Sequence, residues 1–310
     1  MKNATGRLGR RQFIQTLTLL GAAAAGLPLT ALGSKSMLMK AIPASGEKIP
    51  VIGMGSSRTF EVGDDQDQRA RLTQVLQAFF DQGGTVIDTS PMYGSSEQVL
   101  GELLANVQKK QSLFMATKVW TEGSQEGITQ MQQSMDLLHT PVIDLMQIHN
   151  LLDWKVHWET LAEWKQQGRV RYIGITTHRG YDHDELAHVM QNYPIDFIQF
   201  SYSIANRKAE QHILPLAAER GIATMVNRPF QRGDLFRHVK GKELPAWAAD
   251  LDCNSWGQFF LKFVISHPAV TCTIPATSKV HHMVDNMAAG YGRIPDNNQR
   301  KRMLAYFDSI

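Results

Sequence analysis

Eight short apolar runs, each followed by an amphipathic stretch, constrain the fold of this chain more than any other feature. The runs lie at Pro50 to Met54, Val86-Ile87, Leu113 to Ala116, Val142 to Ile148, Tyr172 to Ile175, Phe197 to Phe200, Ile222 to Val226 and Val270 to Ile274. Helical patterns separate them. The first, Asp67 to Gln82, carries Leu72, Val75, Leu76, Phe79 and Phe80 at three- and four-residue spacing and stops at Gly83-Gly84. Continuous apolar runs suit strands buried on both faces, and strands alternating with helices imply parallel β/α units. Eight units predict an α/β fold, a closed (β/α)8 TIM barrel of roughly 250 residues, over an open dinucleotide-binding sheet. The G-x-G at Gly53-Met54-Gly55 does not rescue that sheet, because Arg58 holds the third glycine position. Ahead of the barrel, two apolar runs around Ser45-Gly46-Glu47, within Met37 to Ile52, predict an N-terminal hairpin.

The first 33 residues follow a different rule. They contain Lys2, Arg7, Arg10 and Arg11 and no acid, whereas the chain of 32 basic and 29 acidic residues carries only +3. The remainder is therefore close to neutral and has no basic patch for nucleic acid. Arg10-Arg11 precedes a moderately apolar, Ala-rich stretch from Ile14 to Leu32 that Gly21, Gly26 and Pro28 interrupt. This resembles a twin-arginine (Tat) signal peptide, which implies export by the twin-arginine machinery to the periplasm. A permanent membrane anchor would need about 20 strongly apolar residues, and Thr16 and Thr18 fall inside the stretch. Cleavage after Ala25 and cleavage near Gly33 are both open. The expected organisation is a signal over 1–33 and a barrel over 34–310.

Barrel chemistry sits at the C-terminal ends of strands, and unusual residues collect there. Asp88 and Tyr93 follow the Val86-Ile87 run, Lys118 ends the next, and His149 ends Asp144 to Ile148. A phenol with an ordinary pKa near 10 is a poor proton donor at neutral pH. A nearby ammonium favours its phenolate, a carboxylate holds the ammonium, and an imidazole can donate to a carbonyl oxygen. Taken singly, each residue could equally be a cap, a surface aromatic or a solvated strand end. Their shared position at neighbouring strand ends points to one proton-transfer site.

The run from Gly84 through Asp88, Tyr93 and Glu97 to Leu100-Gly101 resembles the signature segment of the aldo-keto reductases. Lys118-Val119-Trp120 and Asp144 to His149 are similar to that family's lysine and histidine strands, and similarity continues through Arg169 to Thr177, Gln199, Asn227 to Gly233 and Ile274 to Asn286. The resemblance implies an NAD(P)H-dependent barrel that reduces aldehydes or ketones, usually with NADPH and with NADH as the alternative. It makes Tyr93 the general acid, Asp88 and Lys118 the groups that tune it, His149 the residue that orients the carbonyl and Trp120 a substrate contact. It assigns the cofactor to Ser56, Thr176, Thr177, Gln199, Asn227, Arg228, Pro229, Phe230, Gly233, Ile274, Pro275, Ala276, Thr277, His282 and Asn286. Several of these depart from the family pattern: Thr177 stands for a commoner asparagine, Asn227 for a stacking tyrosine, Ala276 for a lysine and His282 for an arginine.

No metal site is expected, since His178, His183 and His188 are five apart and Cys253 and Cys272 lack zinc spacing. The two cysteines are expected to be separate buried thiols. A floor of Tyr93, His149 and Trp120, with only Asp308-Ser309-Ile310 after the last helical pattern, predicts an open site for small carbonyl compounds. The competing reading is a barrel that binds nucleotide without turnover, as a redox sensor or partner-binding module. A different barrel enzyme, an isomerase or hydrolase, ranks last for want of paired carboxylates or metal ligands.

Overall fold

In the computed structural model, residues 36–108, 113–177 and 183–310 are described. The twin-arginine segment and His178 lie outside the described residues. Strands β1 (Met39–Ala41) and β2 (Lys48–Pro50) form the expected antiparallel hairpin, with Ile42 N donating to Glu47 O at 2.8 Å across its turn.

Eight strands follow in parallel and in chain order. They are β3 (Met54–Gly55), β4 (Val86–Asp88), β5 (Phe114–Val119), β6 (Ile143–Ile148), β7 (Val170–Thr176), β8 (Phe197–Ser201), β9 (Ala223–Asn227) and β10 (Cys272–Thr273). The two ends of the sheet meet. Gly53 N donates to Thr273 O at 2.8 Å, Thr273 N donates to Val51 O at 2.9 Å, and Ile52 bridges Thr273 in parallel. The first run thus contributes Val51 to Gly53 to closure, while only its last residue, Met54, pairs with β4, together with Gly55 just beyond the run.

Around the strands lie α1 (Gln66–Asp81), α2 (Ser96–Leu104), α3 (Ser124–Leu137), α4 (Trp154–Gln166), α5 (His183–Asn192), α6 (Ile213–Arg220), α7 (Asp234–His238), α8 (Trp256–Ile265), α9 (Val280–Ala288) and α10 (Asn297–Ser309). Helix starts are chemically marked. Asp65 accepts from Gln68 N at 2.9 Å, Ser255 accepts from Gln258 N at 3.0 Å, and Asp296 and Gln299 form a reciprocal capping box. The five apolar residues named for the first helix are all buried. Helix α7 is too short for a periodic signal and was not expected.

Two-residue periodicity divides the strands between an outer core against the helices and the barrel interior. The lower interior is apolar. Ile42 and Ile49 of the hairpin plug it, and Phe114, Tyr172 and Phe197 pack with ring centroids 5.7–6.0 Å apart. Lys40 latches the hairpin by donating to Ile265 O, His267 O and Val270 O at 2.9, 3.0 and 2.6 Å, which satisfies carbonyls at and beyond the C-terminal end of α8. Higher along the same axis the inward positions turn polar, at Asp88, Lys118, Gln147 and Gln199, all buried. The functional end of the barrel is thus the continuation of its core.

Candidate active site

Strand β4 ends on Asp88, whose two oxygens have separate partners. Lys118 Nζ donates to Oδ2 at 2.7 Å, while Gln147 Nε2 and Gln199 Nε2 both donate to Oδ1 at 2.9 Å. Lys118 also donates to Thr89 O at 2.6 Å. It is the penultimate residue of β5 and points into the barrel, fully buried, rather than following the strand as its apolar run suggests. A buried ammonium is tolerable only with such pairing. Burial alone would lower its pKa, but Asp88, Tyr93 and Glu97 outweigh burial and raise it.

Gln147 was not foreseen. It lies two residues before His149 on β6, so strand parity turns it inward toward Asp88, and this spacing was the available signal. Its neighbour Gly174 on β7 makes the room, because a Cβ there would stand 2.9 Å from Gln147 Cγ. Glu97, the first acid of α2, lies buried beneath Lys118's strand, accepting from Thr117 Oγ1 at 2.5 Å and from Ser134 Oγ at 3.0 Å. Burial pushes its carboxyl above the usual range despite those two donors.

Tyr93 stands over the pair, half-buried, with Lys118 Nζ 5.2 Å from its ring centroid. Burial raises the phenol pKa, and Lys118 pulls against that rise without cancelling it. The expected effect of the ammonium is present, but desolvation is larger. His149 follows β6 in a short turn and meets Tyr93 edge-on, with ring centroids 6.0 Å apart at 90°. Its Nδ1 lies 3.1 Å from Ser90 Oγ. Trp120, 41% exposed, sits 6.4 Å from the His149 ring. Gln130 fixes the Trp120 backbone from α3, accepting from its N–H at 2.6 Å and donating to its O at 3.1 Å. His157 Nε2 lies 2.7 Å from Thr121 O. The structure therefore gathers Asp88, Tyr93, Lys118, His149 and Trp120 at one rim.

The residues assigned to a cofactor fall into three groups. Asn227 Nδ2 donates to Thr177 O at 3.0 Å and to Gln199 Oε1 at 3.2 Å, while its Oδ1 accepts from Ser201 Oγ at 2.7 Å. These bonds tie the ends of β7, β8 and β9 and continue through Gln199 to Asp88. Thr176 Oγ1 accepts from Asn150 N at 3.0 Å, and Ser56 Oγ donates to Thr89 Oγ1 at 2.9 Å, so both hydroxyls brace the rim. The Arg228 to Gly233 loop turns through positive φ at Arg228, Gln231, Arg232 and Gly233, with Pro229 buried and Phe230 packed 4.9 Å from Phe236. Ile274 and Pro275 lie buried against Gly55, where an added Cβ would meet Ile274 O at 3.0 Å. Ala276 and His282 are exposed near the start of α9, whereas Thr277 and Asn286 are buried. Burial, then His281 and Lys279, lowers the His282 pKa.

One buried atom suits a bound polar group. Thr177 Oγ1 has no hydrogen-bond partner, although a buried hydroxyl left alone is costly. It lies beside Gln199 and Asn227, so an amide-bearing group at this rim would find a donor and acceptor waiting. That fits a nicotinamide. Among the described residues no group of three His, Cys, Asp or Glu could hold a metal ion, and no helix is long and apolar enough to cross a membrane. Cys253 and Cys272 are separate and buried, with burial pushing their thiols up to about 11 and about 12.

Comparison with known proteins agrees with this geometry. Residues 51–300 match the model of the aldo/keto reductase family. The methylglyoxal reductase YeaE of Escherichia coli is 30% identical over 264 residues, spanning 81% of this chain and 89% of that protein. An NADH-specific methylglyoxal reductase of the same organism is 28% identical over 244 residues, spanning 68% and 73%. Among solved structures, an aldo/keto reductase from Klebsiella pneumoniae in complex with NADP and acetate superposes with a TM-score of 0.71 at 22% identity, covering 84% of this chain and 93% of that one. The family match spans the barrel from its closing strand into its last helix, and the chain belongs to the aldo/keto reductase family.

Proposed function

We propose that this protein reduces small aldehydes and ketones, with 2-oxoaldehydes of the methylglyoxal type foremost, by using NADPH and accepting NADH less well. The observation that carries the reading is the fully buried Lys118–Asp88 pair beneath a half-buried Tyr93, with His149 edge-on to the phenol. A binding module has no use for a buried ion pair aimed at a phenol. Relatives named for methylglyoxal reduction favour the substrate class, as does a rim with Trp120 exposed.

When bound, the nicotinamide supplies the hydride. Thr177, Gln199 and Asn227 would hold its amide, and the Arg228 to Gly233 loop and the Ile274 to Asn286 segment would hold the remainder. The carbonyl oxygen sits between the Tyr93 hydroxyl and His149, which align it and accept the charge that develops there. Tyr93 then gives its proton to that oxygen. The resulting phenolate is stabilised by Lys118, which Asp88 holds in place while Gln147 and Gln199 occupy the carboxylate's other oxygen.

Following absorbance at 340 nm with NADPH and a panel of small aldehydes tests the reading, with Tyr93→Phe beside the wild type. Oxidation that disappears in the variant is the expected result. Quenching of tryptophan fluorescence by NADPH with no oxidation in either protein would favour a nucleotide-binding module instead. We further propose that residues 1–33 direct twin-arginine export to the periplasm. Replacing Arg10 and Arg11 with lysine and fractionating cells is the test, and unchanged export would overturn the assignment.

A further inference from the structure

The histidine of a carbonyl-orienting site must present an N–H, and a neutral imidazole has only one. In this chain the side chain hydrogen-bonded to the Nδ1 side of that ring is Ser90. Ser90 is fully buried in the turn between Asp88 and Tyr93. Its Oγ accepts from Met92 N at 3.4 Å and lies 3.1 Å from His149 Nδ1. Two arrangements of the second contact are chemically available. If Nδ1 carried the proton it would donate to Oγ, which already accepts from Met92. The serine's own hydrogen would then need another acceptor, and among the described residues no other bond of that hydroxyl is present. If the hydroxyl donates to Nδ1, every group in the turn is satisfied, as buried polar groups require.

We propose that Ser90 is a positioning residue that holds His149 in its Nε2–H tautomer, so that the ring presents a donor at Nε2 to the substrate oxygen. The inference rests on the carbonyl-reducing function proposed above. It assigns a task to a side chain whose hydrogen bonds are to His149 and to the turn itself. Only the proton's location changes: it leaves Nδ1 vacant as an acceptor and occupies Nε2. Thr89, one residue earlier, makes a different contact, its Oγ1 accepting from Ser56 Oγ at 2.9 Å.

The test uses the full chain with 15N-labelled histidine, the His149 resonances being identified from their loss in His149→Phe. Wild-type protein at neutral pH is expected to show an unprotonated, imine-type Nδ1 and a protonated, pyrrole-type Nε2. Ser90→Ala, which removes one oxygen from a buried site, should move both resonances toward a mixture of tautomers. Its kcat/KM for the aldehyde should fall about five- to tenfold, the ratio that one buried hydrogen bond sets. That is less than the roughly 100-fold or larger loss from deleting an oxyanion donor outright, which is the expectation for His149→Phe. Ser90→Ala combined with His149→Phe should be no slower than His149→Phe alone, because Ser90 acts only through the ring. A protonated Nδ1 in the wild type, or resonances unmoved in Ser90→Ala, would overturn the assignment, as would additive losses in the double variant. The resonances are read without turnover, so a wild type that reduces no aldehyde would refute the proposed function while leaving the tautomer assignment to be judged separately.

Discussion

Removing the Lys118 ammonium separates what the buried pair contributes to folding from what it contributes to chemistry. Lys118 and Asp88 have side chains 0% and 3% exposed and 2.7 Å between Nζ and Oδ2. Lys118→Met fills similar volume but leaves a carboxylate with two amide donors on Oδ1 and no cation on Oδ2. Breaking a buried pair from one side costs about 3–5 kcal/mol, and for a domain of this size that lowers Tm by roughly 5–9 °C. In Asp88→Asn with Lys118→Met, the remaining carbonyl can still accept from Gln147 and Gln199, and no charge is buried. The double variant should therefore regain at least about 2 kcal/mol over Lys118→Met, although the Asn amide hydrogens must find partners. Activity should not return, because Tyr93 then lacks the buried ammonium beside its ring, and the Arg228 charge acts on it more weakly than Lys118 does. Both variants should lose about 100-fold or more in kcat, the scale of general acid catalysis. Thermal unfolding followed by circular dichroism, beside NADPH oxidation, reads both quantities. A double variant less stable than Lys118→Met would refute the charge-pairing argument, and recovery of kcat in it would refute the assignment of Lys118 to the phenolate.

Thr177→Val should raise or maintain the melting temperature, since it deletes an orphaned buried hydroxyl, while weakening NADPH binding several-fold by fluorescence titration; unchanged binding would remove Thr177 from the cofactor site. Because burial, opposed by Lys118, raises the Tyr93 pKa, the proton stays on the phenol to higher pH. The alkaline fall in kcat for reduction should therefore lie above the ordinary tyrosine range near 10, and a fall centred near neutrality would count against Tyr93 as the acid. His267 is lowered from 6.5 to about 4, first by burial and then by Arg300. A depressed pKa leaves its stabilisation complete above 6.5 and removes it as pH falls through 4, at most about 3 kcal/mol and less after screening at a half-buried site. His267→Asn should flatten thermal stability between those pH values. Arg300→Met releases Phe263 O, Ser266 Oγ, Tyr202 OH and Glu210 from α10. It should cost about 3 kcal/mol or more and increase hydrogen exchange in α10 before the central strands.

The barrel was legible because its strands are buried on both faces and so spell themselves out as apolar runs. The same logic overextends at the seam. Val270 to Ile274 and Pro50 to Met54 are five residues each, yet β10 and β3 pair over only two residues. Their neighbours are apolar because they are buried at the closure, and burial leaves a signal in composition where regular pairing does not. The site was legible to the extent that strand parity and strand ends determine it, which covers Asp88, Lys118 and His149 and would have covered Gln147. The Tyr93 pKa was legible only in part, because charge type is written in the sequence and desolvation is a property of the assembled pocket. Ser90 lies further still from local rules. Its importance is a 3.1 Å distance to a ring 59 positions away, whereas the turn itself uses the hydroxyl only as a long 3.4 Å acceptor for Met92 N. The polar turn that carries Tyr93 therefore has two levels of constraint, one for forming a strand-to-helix connection and one for reaching β6. Only the first is written locally, and substitutions that respect it while breaking the second should leave the fold intact and alter the chemistry.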